Sequence, residues 1–149
     1  MDNSNKSTQQ KNIENVNWEN LYILTDHWKS DLNFYKDDLR FLHHLIDKYI
    51  IWITKDSNLN MVKEIQKNLF EIRSKSEALM KEVITHQQNL ALMVENPTES
   101  TNPQFVKDHE ILEDQISSFV KQFRSNRKEV FKITEYVIDS EELPNILKS

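Results

Sequence analysis

The chain has 149 residues, no Cys, no Gly and a net charge of −5. Without Cys there can be no disulfide, Cys-ligated zinc, iron–sulfur cluster or thiol nucleophile. Without Gly there is no Gly-rich phosphate loop, dinucleotide fingerprint or Gly-bracketed nucleophile elbow, and the acidic balance argues against a general nucleic-acid binder, which needs surplus Lys and Arg to displace counterions.

The first residues, "MDNSNKSTQQKN", lack the apolar core of a secretory leader. The longest apolar runs, "YIIWI" and "LALMV", are too short to cross a bilayer. The expectation is a cytoplasmic protein with no membrane span. Its abundant Asn, Lys and Ile suggest an AT-rich, bacterial coding sequence. Residues 1–16 are polar and rich in Asn, Gln and Ser, which predicts a disordered tail unable to bury enough apolar surface to order itself.

From residue 17 the apolar residues take helical spacing: Leu21, Leu24, Trp28, Leu32, Tyr35, Leu39, Leu42, Leu45, Ile46, Tyr49 and Ile53. The turn formers "TKDSN" end this first helix, predicted over 17–54. A second pattern over 59–95 carries Val62, Ile65, Leu69, Ile72, Ser76, Leu79, Val83, His86, Leu90 and Met93 on its seam. It stops at "ENPTESTNP". Asn102 then provides a cap and Pro103 a first helical residue. The third helix, 103–139, has Phe105, His109, Leu112, Ile116, Phe119, Phe123, Val130, Ile133 and Val137 on its seam. Residues 140–149 are expected to be a tail with at most one loose apolar contact.

Three helices of roughly 36 residues, each about 54 Å long and joined by short turns, predict an all-α fold. It is an elongated antiparallel three-helix bundle with heptad, coiled-coil-like packing, occupying 17–139 as one domain.

The polar residues on the seams are the candidate chemistry. Counting residues from the two turns places His27, His86 and His109 at one level, one from each helix. Each has a carboxylate one turn away on the same side of the layer: Asp31, Glu82 and Glu113. Convergent His and carboxylate from facing helices is how bundles hold transition metals, so these six residues are a candidate site for Zn, Fe, Mn or Cu. A carboxylate there would ligate or fix a histidine tautomer. The competing reading is a metal-free polar layer of buried neutral imidazoles bonded to side chains. The chain has no His-x-x-x-His or Glu-x-x-His pair.

Asp38 sits mid-bundle, where Arg73, Arg124 or Asn126 is expected to pair with it and fix register. His43 and His44 are read as solvated. Lys121, Arg124, Lys128 and Lys132 form a basic stripe on the third helix. At the end away from the histidines, Ile50, Ile51, Phe131 and Ile138 are expected to form one apolar patch for a protein partner or a homodimer, unless the tail "LPNIL" covers it. No serine is placed beside a seam histidine with an orienting acid. The leading functional expectation is therefore a non-catalytic interaction or scaffold module, with the metal-binding bundle as the alternative.

Overall fold

The computed structural model describes residues 17–96 and 103–142, and both termini and the second connection lie outside them. The disordered tail expected over 1–16 and the Asn102 cap fall among those outside residues. Three helices make up the fold: α1 (Trp18–Ile50), α2 (Asp56–Glu95) and α3 (Pro103–Ser140). Among the described residues there is no strand. The fold is an all-α three-helix bundle, as the spacing of apolar residues predicts. No helix among the described residues is long and apolar enough to cross a membrane.

Local sequence explains most of the helix ends. At α1 the Asn17 side chain accepts the backbone N–H of Asn20 at 3.1 Å, satisfying one of the helix's unpaired donors. The helix ends at Ile50, four residues before the predicted boundary. Trp52 and Ile53 then donate to carbonyls only three residues back, a tightening that ends an α-helix. α3 begins at Pro103, whose missing N–H would have had no partner there in any case.

The chain divides into two compact units. In the first, the part of α1 up to Leu32 packs with Leu79–Ser117. Its core gathers Trp18, Leu90 and Phe105, with Leu21 and Met93 against them. In this part of α1 the buried positions are Trp18, Thr25, Trp28 and Leu32, while Leu24 is exposed. Thr25 takes the inward place expected for Leu24 because its hydroxyl donates to the Leu21 carbonyl at 2.8 Å, so no polar atom is stranded.

In the second unit Asn33–Ala78 packs with the chain from Ser118 onward. α1 and α3 run parallel here: Asp38 meets Arg127, and Tyr49 packs on Ile138. α2 runs against both, since Asn58 meets Ser140 while Lys75 meets Gln122.

The ends of α2 and α3 are fastened through Glu141, at the start of the segment read as a loose tail. Its carboxylate accepts the backbone N–H groups of Thr54 at 3.1 Å and Lys55 at 2.9 Å, and the Thr54 hydroxyl at 2.7 Å. The buried Asn58 amide donates to it as well, at 2.9 Å, and to the Ser140 hydroxyl at 3.1 Å. These bonds hold the Glu141 carboxyl down to about 2, the Asn58 contact contributing most. The carboxylate also sits where the positive end of the α2 dipole favours an anion.

Candidate functional site

His86 and His109 are both buried, and their rings meet with Nε2 of His86 2.8 Å from Nδ1 of His109. Each imidazole is covered by an aromatic ring. Phe105 stacks on His86 with centroids 4.5 Å apart and planes within 2°. Trp28 stacks on His109 at 4.8 Å. Trp18 then meets Phe105 edge-on at 5.7 Å, so five rings follow one another through the core of this unit.

Burial disfavours the charged imidazolium and lowers both pKa values. For His109 burial is the larger cause and the neighbouring His86 adds to it, bringing the pKa to about 4. For His86 the lowering is opposed by the nearby Asp108 carboxylate. The pair is neutral at pH 7, so one ring donates to the other. His109 Nε2 is buried without a hydrogen-bond partner among the described residues. An orphaned acceptor is more tolerable than an orphaned N–H. His109 therefore carries its proton on Nδ1 and donates to His86 Nε2, leaving only a lone pair unpartnered.

The predicted six-residue layer separates into two groups. His86 and His109 come together, and Glu82 shares with His86 an open groove of about 470 Å³ between α2 and α3. His27, Asp31 and Glu113 are exposed, which corrects the expected convergence of three histidines. Trp28, the neighbour of His27, stacks on His109. Consecutive helical residues point about 100° apart, and the larger apolar ring takes the inward place. Among the described residues no group of three or more His, Asp or Glu is placed to hold a metal. Asp108 and the stacking partners Trp28 and Phe105 were not read as part of this layer from the sequence.

Asp38 has a charged partner, though not one of those expected. Arg127 Nε donates to its Oδ2 at 2.9 Å, and the guanidinium also lies 4.9 Å above the Phe131 ring. Phe131 lies one helical turn after Arg127, so one long side chain makes both contacts. His43 is half-buried and His44 exposed.

The expected apolar patch is rearranged. Ile138 is buried, packed on Tyr49 and Leu45, which corrects its assignment to the surface. Leu45, Tyr49, Phe131, Thr134 and Ile138 line a groove of about 400 Å³ between α1 and α3. Ile50 is half-buried, and Ile51 lies past the end of α1, 77 % exposed. Along the α1 side of the same face Phe34 is 66 % and Phe41 53 % exposed, seven residues apart and so on one stripe. Phe41 stands one turn before Leu45. Comparison with protein-family models, curated protein sequences and solved structures finds no match.

Proposed function

We propose that this chain is a protein-interaction module whose docking surface is the α1/α3 face of the second unit. The observation that carries the reading is the outward display of Phe34 and Phe41 on one stripe beside the Leu45–Tyr49–Phe131–Ile138 groove. Single exposed apolar residues are ordinary, but large rings gathered around an apolar groove mark a surface that binds another protein. Aromatic anchors of this kind contribute most of the energy at interfaces. The imidazole pair supports a structural role in this reading, since its rings are enclosed by Trp28 and Phe105 and bonded to each other.

Site-specific photo-crosslinking tests this. With p-benzoylphenylalanine in place of Phe41, irradiation of producing cells is expected to give an adduct of defined mass. The same group at Phe70, which is 65 % exposed on α2, is the control. Equal yields at the two positions would overturn the assignment of the face.

A further inference from the structure

The charges around this face are arranged so that a second copy of the chain matches them. On α1 the stripe Phe34, Asp37, Phe41, His44, Lys48 advances by three and four residues and is exposed throughout. On α3 the stripe Arg124, Lys128, Phe131, Glu135, Ile138 has the same spacing beside it, exposed as far as Glu135 and turning inward at the buried Ile138. Each stripe has one sign of charge before its central phenylalanine and the opposite sign after it, and the order of signs is reversed between the helices.

The midpoints of these patterns coincide. Asp37 and Lys48 are centred between residues 42 and 43 of α1, while Lys128 and Glu135 are centred between 131 and 132 of α3. Those centres are 89 positions apart, the same separation that links Asp38 to Arg127 in the structure. Tyr49 and Ile138, packed together, have that separation too. Both patterns therefore reverse about one level of the face.

We propose that the α1/α3 face pairs with the same face of a second copy, antiparallel, about a two-fold axis at this level. An isologous interface of this kind must be self-complementary about its axis, and this face is. Asp37 of one copy meets Lys48 of the other, and Lys128 meets Glu135, each pair occurring twice. The same operation brings Phe34 beside Ile51, the most exposed large apolar side chain among the described residues, and gathers both copies of Phe41 and Phe131 around the axis. The four paired helices cover the aromatic stripe that each copy leaves in water. The face extends about 22 Å along the helices and roughly 20 Å across two of them, which places the dimer at the small, reversible end of interface sizes.

This inference rests on the docking reading above, and the experiment separates the two. Sedimentation of the full chain from about 5 µM to 1 mM is expected to show a reversible monomer–dimer equilibrium that weakens with salt. Asp37→Lys and Lys48→Glu should each weaken dimerisation at least about fivefold, and the two together in one chain should restore it, because every Asp37–Lys48 pair is then inverted. The chain has no cysteine, so Phe131→Cys provides a unique thiol beside the axis. It should oxidise to a disulfide dimer at least about tenfold faster than Phe70→Cys, even where the charge variants prove poorly folded. A monomer at every concentration, a double variant no better than either single one, or equal oxidation of the two thiols would overturn the dimer. Photo-adducts from Phe41 to a different protein, with a monomer in sedimentation, would leave the docking face standing and remove the second copy as its occupant.

Discussion

His86 and His109 form a buried imidazole–imidazole hydrogen bond of 2.8 Å, closed off on one side by Phe105 and on the other by Trp28. Neither flanking ring can solvate a charge as water does. The pair therefore ties α2 to α3 as a neutral unit.

Acid should loosen this unit. The folded pKa of His109 is held near 4, below its unfolded value of 6.5, so on acidification the unfolded chain takes up a proton first. The contribution is fully present above pH 6.5 and is lost progressively as the pH falls to about 4, where the loss levels off. It is on the order of 3 kcal/mol. Urea unfolding at pH 7.5, 5.5 and 4.5 measures it. A double variant, His86→Leu with His109→Leu, should flatten this part of the pH dependence.

Glu141 behaves in the opposite chemical sense but weakens over a lower range. Its folded pKa of about 2 lies below the usual carboxylate value of 4.5, so its contribution is present above pH 4.5 and disappears as the pH falls toward 2. Glu141→Gln should lower the melting temperature at pH 7, and the difference from wild type should vanish near pH 2. Asn58→Leu should also lower the melting temperature at pH 7, since it removes the largest of the bonds that favour the carboxylate.

The Asp38–Arg127 pair is half in water, with side chains 17 % and 47 % exposed. Solvent screening then limits Arg127→Ala to about 1 kcal/mol, well below the roughly 3–5 kcal/mol expected when a fully buried partner is removed. Asp38→Leu should be nearly neutral. Thermal unfolding of both variants at low and high salt checks this, and a loss above 3 kcal/mol for Arg127→Ala would contradict it.

Thr134 lines the α1/α3 groove with its hydroxyl buried and without a hydrogen-bond partner among the described residues. Thr134→Val keeps the shape and removes the stranded group. It should stabilise the fold by about 1 kcal/mol, read as a rise in the urea midpoint at unchanged slope.

The three helices and most of their inward residues were legible in the sequence because apolar side chains recur every three or four positions, and that period alone assigns a face. On α2 the reading held from Val62 to Leu90, His86 included, and His109 was correctly placed inward on α3. A one-dimensional pattern resolves a helix face only to within about one residue, however, and one residue is about 100°. That is why Trp28 and not His27 stacks on His109, and why Thr25 takes the place of Leu24. Contacts between residues far apart in the chain have no periodic signal. Arg127 reaching Asp38, Glu141 bonding to Thr54 and Lys55, and Ile138 turned onto Tyr49 are set by where helices end and how far long side chains reach. The sequence by itself determined that three helices form and bury imidazoles. Only tertiary packing decided which rings those imidazoles meet and which phenylalanines remain in water.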